Sequence, residues 1–178
     1  MTQYFSYQQF KLWRAPLQTR VLLSLFNGTV VLATAVGIVM YRVRTGLTAG
    51  GAERYYLGNE GAARPGDEMQ FARTLKELLD VTHAHAFSLP FLYFVLCHIF
   101  ALTRVSARVK IAVYVASFVS IIVDLGVPYL IRFVSPAWAP LQVVNSVAMT
   151  VTLLTLLVVP TYEMWWYREP LATSQREA

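Results

Sequence analysis

Three histidines and two aspartates are the residues of this sequence whose types and spacing could carry chemistry. His83 and His85 closely follow Asp80, His98 lies later in the same apolar stretch, and Asp124 interrupts a second apolar stretch. An ionisable side chain is costly to place inside a membrane, so each of these residues is a functional candidate. Imidazole can bind haem iron or a transition metal, and it can take up a proton near neutral pH.

The first interpretation places haem b on the histidines. On a helix, His83 and His98 point within about 60° of the same direction and lie about 22 Å apart. They cannot bind one iron together, but they could serve two haems, one near each membrane surface. Two bis-histidine haems need four histidines, and the chain has 3. The missing ligands would have to come from a second copy, a partner subunit, Met40 or Met149; otherwise the histidines hydrogen-bond between helices.

The second interpretation is a cluster of Asp80, His83, His85 and Asp124. Asp80 and His83 are three residues apart, so they are neighbours on a helix. Measured from the connection between the two stretches, Asp124 lies about 21 Å and His85 about 28 Å along its helix, a difference of about one turn. The four side chains could therefore converge to bind copper, zinc or another transition metal, or to accept a proton from a quinol. The alternative is that Asp80, His83 and His85 lie at the headgroup level, where polarity costs little.

The composition identifies the environment that holds these residues. Of the 178 residues, 56% are hydrophobic and 14% are charged, and the mean hydropathy is +0.48. Globular chains are usually ~45–50% apolar and ~25% charged, so a disordered chain, a fibrous repeat or a nucleic-acid-binding arm is not expected. We attribute the net charge of +5 to membrane topology and not to nucleic acid. A single cysteine, Cys97, rules out a multi-cysteine metal site within this chain.

Four apolar stretches are each long enough to cross a bilayer, which takes ~20 residues. They do not alternate with period two, so helices are predicted rather than barrel strands. The predicted fold class is an all-α transmembrane four-helix bundle. The predicted spans are Val21–Tyr41, Glu77–Thr103, Ile111–Ile131 and Leu141–Thr161. In the fourth span, Asn145 and Ser146 are expected to hydrogen-bond to neighbouring helices.

Three segments flank or connect the spans. Residues 1–20 mix aromatic and basic side chains, which predicts an interfacial N-terminal segment. Residues 21–167 are the predicted four-helix transmembrane domain, and residues 168–178 are a predicted cytoplasmic tail. The long loop of residues 42–76 contains six glycines and Pro65, so it is predicted to be irregular and extracytoplasmic.

The orientation in the membrane follows from the basic residues. An even number of spans places both termini on one side, which carries eight Lys and Arg residues against seven on the other side. That count barely discriminates, but the short connection of residues 104–110 holds three bases. Short loops weigh most in the positive-inside rule, so the termini are predicted to lie in the cytoplasm.

A family likeness adds to these expectations. The stretches Asp80–Ser88 and Cys97–Phe100, an aspartate in the third span, and the ending Tyr162–Trp165 resemble a poorly characterised bacterial family of four-helix integral membrane proteins. Such proteins are associated with c-type cytochromes and respiratory electron transfer. The resemblance implies a redox subunit of the bacterial inner membrane with a c-type cytochrome as a partner, and it assigns no catalytic residue. The matching positions are His83, His85, His98 and Asp124.

Two hypotheses for the function follow. The first is a non-catalytic or electron-transferring subunit of a membrane redox complex, assembled with other membrane subunits in the lipid bilayer. In this hypothesis His83, His85 and His98 hold haem b or a metal, or line a quinol pocket. The alternative is a structural or assembly subunit with no cofactor of its own. A transporter or channel is a third option, which Asp124 and Pro90 indicate.

Overall fold

Helices make up the regular structure of the chain. The computed structural model describes residues 11–60 and 69–168, and in these ranges it contains five α-helices, two short 3-10 helices and no β-strand. The α-helices are α1 (Leu17–Thr45), α2 (Ala49–Leu57), α3 (Leu75–Ala101), α4 (Ala107–Phe133) and α5 (Ala139–Trp165). The 3-10 helices are Leu12–Arg14 and Pro136–Trp138. The prediction of an all-α fold is therefore confirmed for the described residues.

Four helical segments are long and apolar enough to cross a membrane, as predicted. They are Leu17–Thr45, Leu75–Ala101, Ala107–Phe133 and Pro136–Trp165. Most of these helices begin or end beyond the predicted limits because polar residues extend the helix past the apolar core of each span. In α1, for example, Arg42 and Arg44 lie in the last turn, and the helix ends at Gly46 with a left-handed φ of 58°.

The connection between α1 and α3 contains a helix that the sequence analysis did not predict. The glycines of residues 42–76 indicated an irregular loop, and this prediction is wrong for α2. The Thr48 side chain caps α2 by accepting a hydrogen bond from the Gly51 backbone N–H at 3.0 Å. Ala52 of α2 is fully buried against Val127 and Ile131 of α4, so packing stabilises this short helix despite its glycines.

The hydrophobic core lies between α3, α4 and α5. Its largest fully buried side chains are Tyr93 and Phe100 of α3, which pack with Ile121 of α4 and Leu156 of α5. Helix α1 packs less extensively, and its buried residues are Asn27, Val30 and Thr45. The outward faces of all four long helices expose large apolar side chains, as expected where lipid and not water is the solvent.

The bundle has two ends of different character. At the terminal end, the ring of Trp13 lies 6.2 Å from that of Tyr167, and Trp165 Nε1 donates to Ser24 Oγ at 2.9 Å. The described N- and C-terminal residues therefore lie together, in agreement with an even number of spans. At the loop end, α2 covers the end of α4 and the start of α5, and Arg132 Nε donates to the Arg73 carbonyl at 2.8 Å.

The predicted flanking segments fall partly outside the described residues. Residues 1–10 of the predicted interfacial segment and residues 169–178 of the predicted tail lie outside them. Within residues 11–20, the 3-10 helix buries Leu12 completely against Ile99 and Met164, and α1 already begins at Leu17. The part of this segment that the structure describes is therefore packed on the bundle.

Candidate functional site

A polar cavity lies at the loop end of the bundle. Its volume is about 670 Å³, and it is lined by α1, α2, α3, α4 and the first turn of α5. Its apolar lining includes Val36 and Met40 of α1 and Leu125 of α4. The lining also contains many polar side chains: Tyr41, Arg44, Tyr55, Tyr56, Arg73, Glu77, Asp80, Thr82, His85, Asp124 and Gln142. Most of the ionisable side chains of the predicted site thus line one cavity.

His85 and Asp124 form the central contact of the cavity. His85 Nδ1 lies 3.5 Å from Asp124 Oδ2, across the boundary between α3 and α4. The His85 side chain is 47% exposed and that of Asp124 is 19% exposed, so the imidazole is accessible whereas the carboxylate lies deeper. The second oxygen, Asp124 Oδ1, accepts a hydrogen bond from Gln142 Nε2 of α5 at 3.5 Å. Three helices therefore each contribute one member to a His85–Asp124–Gln142 group.

Three buried polar atoms in the cavity wall have no hydrogen-bond partner among the described residues. They are Tyr41 Oη, Arg73 Nε and Gln142 Oε1. The phenol and the guanidinium are donors, and the amide oxygen is an acceptor. A buried polar atom without a partner costs roughly 1–3 kcal/mol, so these three atoms keep unused hydrogen-bonding capacity just behind the surface of the cavity.

Aromatic and cationic side chains form the wall of the cavity on the side of α2. The Arg73 guanidinium lies 4.4 Å and the Arg44 guanidinium 5.7 Å from the ring centre of Tyr55, and Arg73 also pairs with Glu77 at 3.1 Å. Burial, followed by the neighbouring Tyr55, raises the pKa of Tyr56 far above its usual value. The Tyr56 phenol therefore keeps its proton and can donate a hydrogen bond into the cavity.

The structure divides the predicted site residues into two groups. Asp80, His85 and Asp124 line the cavity, whereas His83 and His98 do not. The His83 ring is exposed on α3 and contacts Phe87, with ring centres 5.4 Å apart. The His98 ring is exposed nearer the terminal end, 4.4 Å from the Phe94 ring, and its Nδ1 lies 3.2 Å from the Phe94 carbonyl oxygen.

The structure brings together only part of the predicted cluster of Asp80, His83, His85 and Asp124. His85 and Asp124 meet as their depths predicted, but His83 points away from both. In the part of the chain that the structure describes, no group of three or more His, Cys, Asp and Glu side chains is placed to hold a metal ion. His83 and His98 each offer one imidazole at the outer surface, so a haem on either would need a second ligand from elsewhere.

Several residues of the cavity were not identified from the sequence. Gln142 does have a sequence signal, since a glutamine within an otherwise apolar span is expected to hydrogen-bond to a neighbouring helix. Tyr41 and Arg44 looked like ordinary boundary residues at the end of a span. Tyr55 and Tyr56 lay in the segment predicted to be an irregular loop, so nothing in the sequence placed them in the wall of a cavity.

Comparison with known proteins supports the membrane assignment. The sequence pattern of a protein family described as a transmembrane helical domain matches residues 46–171, which is more than half of the chain and includes α2 to α5. No curated protein and no solved structure matches the chain. The family match carries no association with c-type cytochromes, so that part of the resemblance stays a prediction.

Proposed function

The chain belongs to the Aq_1264_TM family of transmembrane helical domains, and from this premise we propose that it is a quinol-binding subunit of a membrane redox complex. The observation that carries the proposal is the accessible His85–Asp124 contact in the wall of a polar cavity. Ionisable residues within transmembrane segments are costly and commonly line substrate, ion or proton pathways, so this contact is a functional candidate. The sequence suggested haem b, a transition metal or a quinol as the ligand. Of these, a quinol needs only one imidazole and one carboxylate, and His85 and Asp124 provide them in contact with each other.

His85 and Asp124 are suited to accept a proton from a quinol hydroxyl. Oxidation of a quinol to a quinone releases two protons and two electrons. His85 would take one proton, the second proton would pass to water at the open side of the cavity, and a redox partner in the complex would take both electrons. His85 is the more accessible member and would accept the proton. Asp124 would orient the imidazole and stabilise its positive charge, and Gln142 holds the other carboxylate oxygen in place.

The cavity matches a quinone headgroup in size and polarity. Small-molecule cavities commonly measure about 300–1,000 Å³ and combine apolar walls with a few oriented polar groups. Tyr41 and Gln142 line the cavity, and a rotation of their side chains would let the Tyr41 hydroxyl donate to a quinone carbonyl and the Gln142 oxygen accept from a quinol hydroxyl. The apolar side chains of Val36, Met40 and Leu125 provide surface for a methylated ring or the first part of an isoprenoid tail.

A direct test measures quinone binding by the purified full-length chain in lipid nanodiscs. Short-tailed ubiquinone and menaquinone analogues are titrated against the wild type and against His85→Gln and Asp124→Asn. Each substitution should weaken binding of the preferred analogue about tenfold or more, since a hydrogen bond to a charged group contributes roughly 1.5–3 kcal/mol. His98→Gln is the matched control, because His98 lies on the same helix outside the cavity.

Two results would reject the proposal. The wild type could bind no analogue beyond its partition into the nanodisc lipid, or His98→Gln could weaken binding as much as His85→Gln.

If the host complex also keeps full activity when His85, His98 and Asp124 are all replaced, the alternative of a structural or assembly subunit is favoured. A haem band in the reduced-minus-oxidised spectrum that is lost in His83→Ala or His98→Ala would instead favour haem held between this chain and another.

A further inference from the structure

A second groove lies at the terminal end of the bundle, far along α5 from the polar cavity. Its volume is about 450 Å³, and it is lined by Arg104, Val158, Val159, Tyr162, Glu163 and Tyr167. Val158 is 59% exposed and Tyr162 is 56% exposed, so the groove offers an open apolar floor. Tyr162 lies in the last turns of α5 and Tyr167 follows the end of this helix, and such aromatic residues mark the headgroup level of a membrane.

Arg104 lies at the mouth of this groove, and its side-chain donors have no acceptor among the described residues. Its backbone N–H donates to both carboxylate oxygens of the buried Glu163, at 2.8 Å and 3.1 Å, which fixes the turn and occupies the one acid in the groove. The Arg104 guanidinium carbon, Cζ, lies over the Tyr167 ring, 4.4 Å from the ring centre. Within residues 11–60 and 69–168, the Arg104 guanidinium has no hydrogen-bond acceptor and no carboxylate partner.

The neighbouring base is used differently. Lys110 Nζ donates to the carbonyl oxygens of Ala101 and Thr103, at 2.6 Å each, and so caps the end of α3. Arg104 is therefore the base of the groove that is available to an external anion. A planar guanidinium matches the paired oxygens of a phosphate, and stacking on an aromatic ring holds the guanidinium in one orientation.

The charge of the terminal end complements an anionic lipid. Among the described residues this end carries seven bases and, as its acid, Glu163; the bases are Lys11, Arg14, Arg20, Arg104, Arg108, Lys110 and Arg168. We propose that the groove binds an anionic glycerophospholipid, with its phosphate on Arg104 and one acyl chain along Val158 and Val159. A free phosphate ion has no apolar part that could pack on the valine side chains of the groove, whereas a phospholipid has acyl chains. The proposed ligand is therefore a lipid.

The test compares lipid binding by three forms of the full-length protein. Native mass spectrometry measures binding of phosphatidylglycerol and phosphatidylethanolamine to the wild type, Arg104→Gln and Arg108→Gln. One basic residue near an anionic lipid surface raises the binding constant about fivefold, so Arg104→Gln should weaken phosphatidylglycerol binding by about fivefold. Arg108→Gln removes the same charge from the nearby first turn of α4, outside the groove, and it should change binding by less than about twofold.

Three further readouts decide the proposal. Arg104→Lys keeps the charge and should retain part of the preference for phosphatidylglycerol, which also covers the case in which Arg104→Gln does not fold. Equal losses in Arg104→Gln and Arg108→Gln would overturn the proposal, because they would show a diffuse attraction of anions. Equal binding of the two lipids by the wild type would also overturn it. None of these measurements involves the polar cavity, so they are independent of quinone binding.

Discussion

Asp124 shows how a single charged residue is accommodated within an apolar helix. The carboxylate has a partner for each oxygen, His85 on α3 and Gln142 on α5, and its side chain is only 19% exposed. A carboxylate in a low-dielectric environment is stabilised by such partners and is strongly destabilising without them. The three residues therefore favour one mutual rotation of α3, α4 and α5, and this rotation also directs Asp124 towards the cavity.

The first prediction is an energetic coupling between His85 and Asp124. In a double-mutant cycle, His85→Ala and Asp124→Ala should show a coupling of about 0.5–1 kcal/mol in the free energy of unfolding, at the low end for contacting residues because the imidazole is half-exposed. Unfolding in detergent provides the measurement. The cycle of His83→Ala with Asp124→Ala is the control, and its coupling should lie below about 0.5 kcal/mol. Equal couplings in the two cycles would contradict the contact.

The sequence predicted how far along their helices His85, His83 and Asp124 lie better than it predicted the side of the helix on which each side chain points. Counting residues placed His85 and Asp124 within about one turn of each other, and the structure brings them to 3.5 Å. The same reasoning could not exclude His83 from the cluster, because the rotation of α3 about its axis depends on packing against α4 and α5. Tyr41 was missed for the same reason, since its position in the cavity depends on how α1 is placed, whereas Gln142 could have been found as a polar residue within an apolar span.

At the scale of elements, α2 is the clearest difference between expectation and structure. Glycines usually weaken helices, so Gly50 and Gly51 predicted a loop. The cap at Thr48 was a readable signal for a helix start, but the burial of Ala52 depends on α4 and α5, which no local pattern reveals. The interhelical role of Asn145 is confirmed by its bond to the Ser120 carbonyl at 3.0 Å, whereas Ser146 bonds Gln142 within its own helix.

The second prediction concerns the two adjacent glycines of α2. A Cβ at Gly51 would overlap the Thr45 carbonyl oxygen, whereas a Cβ at Gly50 would have no other atom within 4 Å. Gly51→Ala should therefore separate α2 from the end of α1 and lower stability by about 1–3 kcal/mol. Gly50→Ala should be neutral or stabilising by up to about 1 kcal/mol, because alanine favours helix.

Thermal unfolding and amide hydrogen exchange of α2 distinguish these two variants. Gly51→Ala should lower the unfolding temperature and speed exchange in residues 49–57, and Gly50→Ala should do neither. Because α2 forms part of the cavity wall through Tyr55 and Tyr56, Gly51→Ala should also weaken binding of a cavity ligand. Similar behaviour of the two alanine variants would show that α2 does not pack closely against the end of α1.

At the scale of the whole molecule, the two ends differ in charge and in what they could bind. The terminal end combines many bases with an aromatic belt and one buried acid, whereas the loop end combines bases with Glu77, Asp80 and Asp124 around the cavity. Basic residues next to short connections favour the cytoplasmic side. The same asymmetry would place the proposed phospholipid groove on the cytoplasmic face and the quinol cavity near the opposite face.

The last prediction tests this orientation with two single-cysteine variants. The native Cys97 is 8% exposed and can be replaced by alanine, which leaves one introduced thiol in each variant. Glu53→Cys lies on the exposed face of α2 at the loop end, and Ser106→Cys lies in the exposed connection between α3 and α4 at the terminal end. Neither substitution removes a base, so the distribution of Lys and Arg that should set the orientation is preserved; the acid lost in Glu53→Cys contributes little to that rule. A membrane-impermeant maleimide added to intact spheroplasts should label the Glu53→Cys variant. The same reagent should label the Ser106→Cys variant only after the spheroplasts are lysed. The reverse pattern would show that the loop end lies in the cytoplasm and the terminal end outside it.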